Sequence, residues 1–174
     1  MALSYNSVLF LIVSLLSISS MSTSVGADLV NDVCSKTKKP AICLSALRAD
    51  PRSKCANLES LATISIDISL KNAQSTRDLV NTLLKQATDP KLKTRYDSCL
   101  ENYDDAVDEL GGLPVFLKSK DYGGLNIHAS AASDGPSTCD DNFSEQPAEA
   151  PQLKDASDKL QGLISIILVI SNLL

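Results

Sequence analysis

The sequence is poor in the side chains on which catalysis and metal binding usually depend. It contains no tryptophan and a single histidine, His128, and aromatic residues make up only 4% of the chain. No G-x-S-x-G, H-E-x-x-H, P-loop or G-x-G-x-x-G motif is present. A lone histidine cannot supply several metal ligands, and no C-x-x-C pair accompanies it. The sequence therefore predicts that the protein is not an enzyme and that it carries no metal or other cofactor.

Positive charge is also in short supply. Lysine and arginine number 16 against 21 acidic residues, which gives a formal net charge of -5. An acidic chain is a poor ligand for nucleic acid and is repelled by anionic polysaccharides. We therefore expect no nucleic-acid partner and favour a partner with a basic surface.

Long hydrophobic runs are confined to the two ends of the chain. The first, from Val8 to Leu16, precedes a serine-rich stretch and the small residues Ser24-Val25-Gly26, as in secretory signal peptides. We expect a signal peptide over 1–26 and a folded domain over 27–174, with a buried N-terminal helix as the alternative. The second run, Leu163 to Ile170, is shorter than the about 20 residues that span a bilayer. It predicts a buried central helix and no membrane partner, with a C-terminal anchor as the alternative.

The cysteines are few and widely spaced. They are Cys34, Cys43, Cys55, Cys99 and Cys139. In a secreted chain, an odd number of cysteines predicts disulfides with one thiol left over. A bond between the first two would close a short hairpin, and one between the last two would join long elements, but the spacing leaves other pairings open. The triplet Asn142-Phe143-Ser144 matches the acceptor sequence for N-glycosylation.

Helical periodicity dominates the rest of the chain, and no convincing strand pattern occurs. In the stretch from Tyr96 to Leu110, apolar residues recur at spacings of three and four. Pro114 after a glycine pair predicts that this helix ends near residue 111, and Ser133-Asp134-Gly135-Pro136 predicts a turn. The expected helices cover 28–37, 41–49, 57–87, 90–110, 113–133 and 152–173. The fifth is less regular, because Gly123-Gly124 marks a break or a turn near Tyr122.

Acidic residues line one side of the helix predicted over 90–110. Glu101, Asp105 and Asp108 are spaced at i, i+4 and i+7 and therefore share a face beside the apolar stripe. Such a row is either a solvated surface or an acidic docking strip, and it lacks a base or nucleophile to make it catalytic. His128 is interpreted as an exposed or packing residue.

Several motifs resemble the plant invertase and pectin methylesterase inhibitor family. They comprise the first cysteine pair with Leu44 and Leu47, the segment from Cys99 to Asp108, the triplet Ser130-Ala131-Ala132, and Thr138-Cys139-x-Asp141. The resemblance covers essentially the whole predicted mature chain.

The resemblance implies an all-α fold. In it an up-down-up-down four-helix bundle over 56–174 carries an N-terminal helical hairpin over 27–52. It also implies the disulfides Cys34–Cys43 and Cys99–Cys139. Cys55 is then a free thiol, or a link between chains.

The same resemblance implies a secreted protein of the plant apoplast and cell wall. Invertase inhibitors carry a Pro-Lys-Phe motif where this chain has Ser119-Lys120-Asp121-Tyr122-Gly123, so its absence favours inhibition of pectin methylesterase. The expected partner is a plant pectin methylesterase, whose pectin-binding cleft a monomeric inhibitor occludes in a non-covalent 1:1 complex. Inhibition of a cell-wall or vacuolar invertase is one alternative, and a non-inhibitory, C-terminally anchored surface protein is the other.

The family pattern also implies which residues meet the enzyme. Carried onto this chain, they are Glu101, Asp105, Asp108, Asp121, Tyr122, Asn126, Asp134, Thr138 and Asp141. Tyr122 is the expected energetic anchor, because buried tyrosines are frequent among interface hot spots.

Overall fold

The helices begin where the sequence supplies side-chain caps. Asn57 accepts a hydrogen bond from the Ser60 amide at 2.9 Å. Asp89 accepts one from the Lys91 amide at 2.7 Å, with Pro90 at the first helical position. Capping satisfies amides that have no partner within the helix, and proline loses nothing at that position. The Asp89-Pro90 start predicted from the sequence is therefore confirmed.

The computed structural model describes residues 24–174, so most of the predicted signal peptide lies outside the described residues. The described part is helical and contains no strand, which confirms the all-α class. Its elements are α1 (Ser24–Ser35), α2 (Pro40–Ala49), a 3₁₀ helix (Pro51–Cys55), α3 (Leu58–Gln86), α4 (Pro90–Ser119), α5 (Tyr122–Asp141) and α6 (Pro151–Ser171).

The predicted end of α4 near residue 111 is wrong. The helix continues through Gly111, Gly112 and Pro114 to Ser119, and the residue after it, Lys120, has a left-handed φ of 58°. Each glycine costs about 1 kcal/mol and an interior proline about 3 kcal/mol. Leu110 and Leu113 are fully buried on either side, and burying one leucine side chain contributes about 1.5–3 kcal/mol. Core packing thus carries the helix through residues that would end it in isolation.

The predicted turn over 133–136 is wrong as well, and so are the bounds of the helix predicted over 113–133, although the break predicted near Tyr122 is present. α5 starts at Tyr122 and runs through Gly135 and Pro136 to Asp141. Gly135 serves close packing rather than a turn, because a Cβ there would lie 2.4 Å from the backbone oxygen of Asn102 on α4. The missing side chain lets the two helices approach each other.

A matched pair of glycine substitutions tests this interpretation. We expect Gly135→Ala to lower the free energy of unfolding by about 1–3 kcal/mol, since the added carbon meets a backbone atom that cannot move alone. Gly111→Ala, where nothing lies within 4 Å, should raise it by about 0.5–1 kcal/mol. Urea unfolding of the two variants measures both effects. Equal effects of the same sign would contradict the close-packing role.

The four long helices form the predicted up-down-up-down bundle. α3, α4, α5 and α6 follow one another around a shared core, and α6 closes the ring against α3. The hairpin of α1 and α2 packs on one end of the bundle, where Val33 and Leu47 meet Leu61 and Ile166. The fold class inferred from the sequence is therefore confirmed.

Both disulfides implied by the resemblance are present. Cys34–Cys43 joins α1 to α2, with the two Cα atoms 5.4 Å apart. Cys99–Cys139 joins α4 to α5, with the Cα atoms 4.7 Å apart. Cys55 is exposed and is not bonded within the chain.

The C-terminal apolar run is buried, as predicted. Ile164 and Ile167 face the bundle core, whereas Leu163, Ile166 and Ile170 face the hairpin. Across residues 24–174, no helix has both the length and the apolar character needed to cross a membrane.

Candidate functional site

The single histidine packs between two helices. Its ring stacks on Phe116 of α4, with centroids 4.4 Å apart. Its Nδ1 lies 2.6 Å from Glu109 Oε2, also on α4. In the part of the chain that the structure describes, no group of three or more His, Cys, Asp or Glu side chains is arranged to hold a metal ion. His128 is thus a packing residue, as the sequence indicated.

The acidic residues of α4 face solvent because the apolar stripe fixes the rotation of the helix. Tyr103, Ala106 and Leu110 are buried, which turns Asp105 and Asp108 outward. These two carboxylates line a groove of about 490 Å³ between α4 and α5. The other lining residues are Glu109, Gly112, Phe116, His128 and Ala131. Glu101 is exposed one turn before Asp105 on the same face.

Two residues of α5 continue this surface. Asp134 and Thr138 are exposed and follow the groove residue Ala131 by three and seven positions, so all three share one face of α5. The contact of Gly135 with Asn102 sets this stretch of α5 directly against α4. We name the combined surface the α4/α5 face; its residues are Glu101, Asp105, Asp108, Asp134 and Thr138.

Three other predicted site residues make contacts within the protein. Asp121 caps α5 by accepting a hydrogen bond from the Gly124 amide at 2.9 Å. Asn126 donates to the Ser171 hydroxyl of α6 at 2.7 Å. The Tyr122 hydroxyl donates to Glu59 Oε1 of α3 at 2.9 Å, and this bond raises the pKa of Tyr122. These side chains fix the start of α5 against α3 and α6.

Asp141 lies apart from that group and follows Asp134 by seven positions and Thr138 by three, so it is on their face of α5. It is exposed at the last residue of α5, opposite the Asp121 end. A helix of this length measures about 30 Å. A partner that touched both ends would therefore have to follow the whole of α5. A partner contact for Asp121, Tyr122, Asn126 and Asp141 stays a prediction.

The Tyr122 contact makes a prediction about the expected anchor. We expect Tyr122→Phe to lower the free energy of unfolding slightly, because Glu59 loses its hydrogen bond. Target inhibition should change less than about two-fold, because the hydroxyl is already engaged inside the protein. Chemical unfolding and an inhibition titration measure the two effects. A large loss of inhibition with unchanged stability would instead make the hydroxyl a partner contact.

Sequence reasoning missed two exposed apolar residues. Val115 and Ile127 are each 68% exposed, although large aliphatic side chains are usually buried. Val115 follows Asp108 by seven residues and Ile127 precedes Ala131 by four, which places both on the sides of α4 and α5 that carry the α4/α5 face. Because the sequence predicts that α4 ends near residue 111, it leaves Val115 outside the helix. In a longer helix, the seven-residue spacing would have placed Val115 on the same face as Asp108.

The arrangement defines a binding protein. It offers a rigid, acidic helical surface with an apolar end. The shared core and the Cys99–Cys139 disulfide, which joins α4 to α5, hold its two helices in place.

The chain belongs to the plant invertase/pectin methylesterase inhibitor family, whose profile matches residues 28–170. It is 48% identical to a pectinesterase inhibitor from Actinidia deliciosa, over 95% of this chain and 91% of that protein. It is 34% identical to a putative invertase inhibitor from Platanus orientalis, over 86% of this chain and 92% of that one. The family and these relatives are inhibitors, which agrees with the prediction that the chain is not an enzyme.

Solved structures agree with this assignment. A mutant form of a pectin methylesterase inhibitor from Arabidopsis superposes with a TM-score of 0.75 at 32% identity, covering 82% of this chain and 94% of that one. The family profile and the solved structure therefore agree on the fold and the family.

Proposed function

We propose that this protein inhibits a plant pectin methylesterase by laying the α4/α5 face across the cleft that binds pectin. The observation that carries the proposal is the acidic surface formed by Asp105, Asp108 and their neighbours on two packed helices. An enzyme with a polyanionic substrate needs cationic groups in its cleft, and such groups attract an acidic inhibitor. The names of the relatives from Actinidia deliciosa and Arabidopsis support the same target class.

Inhibition in this scheme is steric and reversible. The face bears carboxylates and a hydroxyl but no activated nucleophile, so no covalent step is required. One rigid surface that fills one cleft gives a 1:1 complex with a monomeric inhibitor. Val115 and Ile127 would add apolar area beside the charged contacts, as interface cores usually do.

The same proposal places the protein outside the cell. Removal of residues 1–26 would leave a mature chain over 27–174 that carries two disulfides, which persist in oxidising compartments. Asn142 remains a proposed glycosylation site. Its side chain is half-buried, and its amide nitrogen lies 3.3 Å from the Ser98 hydroxyl, so a glycan would displace that contact.

Inhibition of an invertase is the second candidate. The relatives from Platanus orientalis and a cell wall/vacuolar inhibitor of fructosidase from Arabidopsis thaliana favour it. The anchored surface protein has less support. Loss of residues 163–174 would remove Leu163, Ile164 and Ile167 from the two cores.

The deciding experiment titrates a plant pectin methylesterase and an acid invertase, each with the purified mature protein. We expect esterase activity to fall to completion near one inhibitor per enzyme while invertase activity is unchanged. Loss of invertase activity alone would mean that the α4/α5 face binds an invertase and not a pectin methylesterase. If neither enzyme responded, the fold would stand and the proposed function would be rejected.

A further inference from the structure

The loop that joins α5 to α6 folds back onto the bundle. Arg95 of α4 donates hydrogen bonds to the carbonyl oxygens of Glu145, at 2.7 Å, and of Pro147. Phe143 packs on Tyr96, with ring centroids 5.4 Å apart. These contacts hold residues 142–150 against α4. They also bring the side chain of Glu149 towards the bundle interior, where its Oε1 atom is buried.

Three oxygen atoms in this part of the bundle are buried without a hydrogen-bond partner: the Tyr103 hydroxyl, Asp140 Oδ1 and Glu149 Oε1. Tyr103 is fully buried, and burial raises the pKa of its hydroxyl, as do the charges of Asp140 and Glu149, whereas the Ser157 side chain lowers it. A buried polar atom without a partner is costly. Two carboxylates can become partners only if one of them carries a proton.

The charges around the pair decide which carboxyl group takes the proton. The other oxygen of Asp140 accepts hydrogen bonds from Lys154 Nζ at 2.9 Å and from Gln161 at 3.2 Å, which hold Asp140 in its charged form. Glu149 has no such donor. Burial, and after it the charge of Asp140, raises the pKa of Glu149 to about 7.

The remaining charged groups near Glu149 lie on α6. Lys154 lowers the pKa of Glu149 and Asp158 raises it. Asp158 is itself paired with Lys39, at 2.7 Å, and with Lys154, at 3.3 Å. Lys154, the cation of α6 that acts on Glu149, is thus already paired with Asp140 and Asp158. Tyr103 and Tyr96, the titratable groups of α4 that sense Glu149, are neutral until well above neutral pH.

We propose that Glu149 and Asp140 form a buried proton-binding site that latches the 142–150 loop onto the bundle. In the closed state the Glu149 carboxyl carries a proton and is therefore neutral, so it can stay buried within range of the Asp140 charge. When that proton leaves to solvent, two anions face each other in a buried site, and Glu149 swings out with the loop. The proposal concerns the free protein and does not depend on which enzyme it inhibits.

The direction of the pH effect follows from the raised pKa. The folded protein holds a proton on Glu149 at pH values where the unfolded chain, with an ordinary glutamate pKa near 4.5, has released it. The stabilisation from the latch is therefore complete in acid and is lost as the pH rises through about 7. An inhibitor working in an acidic compartment would keep the loop closed.

Hydrogen exchange of the loop amides tests the latch. The Phe143, Ser144 and Ala148 amides donate hydrogen bonds in the closed loop, so their protection reports closure. After correction for intrinsic exchange, we expect protection to fall by up to about 70-fold between about pH 5 and pH 8, which is the effect of a pKa of about 7 in the closed state and near 4.5 in the open one. In Glu149→Gln, whose side chain is neutral at every pH, protection should stay high throughout.

Glu145→Gln provides the matched control, because it removes the same charge from an exposed position in the same loop. It should keep the wild-type transition. The latch would be overturned if Glu149→Gln kept the pH-dependent loss of amide protection, or if the wild-type protein showed no such loss. A carbon-13 NMR titration of the wild-type protein decides the matter even if the variant folds poorly. It should give a Glu149 midpoint near 7, and a midpoint in the range of exposed glutamates would reject the site.

Discussion

Replacing Asp105 and Asp108 together by lysine is expected to raise the inhibitor concentration needed for half-inhibition of pectin methylesterase by about 100-fold or more. Both side chains are exposed and line the groove between α4 and α5. The substitution would turn attraction towards a cationic cleft into repulsion, and close charge pairs across an interface couple by about 1.5 kcal/mol or more each. Stability should change little, because neither carboxylate makes an intramolecular ion pair or hydrogen bond within the described residues. Inhibition curves with purified esterase measure the effect.

The control for this prediction reverses the same number of charges elsewhere. Asp78 on α3 and Asp155 on α6 are exposed, and Asp78→Lys with Asp155→Lys gives the same net charge as the test variant. We expect the control to weaken inhibition only slightly, through the general field of the protein, and the loss to shrink as salt is added. Equal losses in both variants would mean that net charge, and not the α4/α5 face, governs binding. Normal inhibition by the test variant would place the interface on another surface.

Much of the fold could be predicted from the sequence because local signals and core packing agree along most of the chain. At Asp89-Pro90 a side-chain cap and a restricted φ coincide with the first turn of α4, and the structure begins the helix there. At Gly111, Gly112 and Pro114 the local signal opposes helix, but buried leucines on both sides outweigh it. That balance depends on helices distant in sequence, so the segment itself does not reveal it.

The residues of the candidate site likewise divide into those that the sequence predicts and those that it does not. The shared face of Glu101, Asp105 and Asp108 follows from their spacing on one helix, and the structure leaves all three exposed. The internal contacts of Tyr122 and Asn126 could not be predicted, since their partners Glu59 and Ser171 lie 63 and 45 residues away in the chain. Whether a polar side chain is free for a partner depends on such long-range neighbours.

The buried carboxyl pair shows the same limit more sharply. In the sequence, Tyr103 belongs to an apolar helical stripe, and Glu149 lies in a stretch of proline, alanine and glutamate that is typical of a linker. The disulfide at Cys139 and the Arg95 contacts bring these segments together. Only the packed bundle buries the Tyr103 hydroxyl, Asp140 Oδ1 and Glu149 Oε1.

Removal of the Cys99–Cys139 disulfide is expected to have the largest effect on stability. Replacing both cysteines by alanine should lower the free energy of unfolding by up to about 4 kcal/mol, because the bond closes a loop with a sequence separation of 40 residues in the unfolded chain. Domains of this size are stable by only about 5–15 kcal/mol, so the variant would lose a large share of the total. Urea unfolding without reductant measures the loss.

The Cys34–Cys43 bond is the matched comparison, since both of its sulfur atoms are buried as well and its sequence separation is only 9. Its removal should cost about 3 kcal/mol. It should also leave inhibition intact while the bundle is folded, because the hairpin lies outside the α4/α5 face. Loss of Cys99–Cys139 frees α5 from α4 beside Thr138 and should therefore weaken inhibition even well below the unfolding midpoint. If the two variants lost stability and inhibition equally, the disulfides would act only on the unfolded chain and not on the geometry of the face.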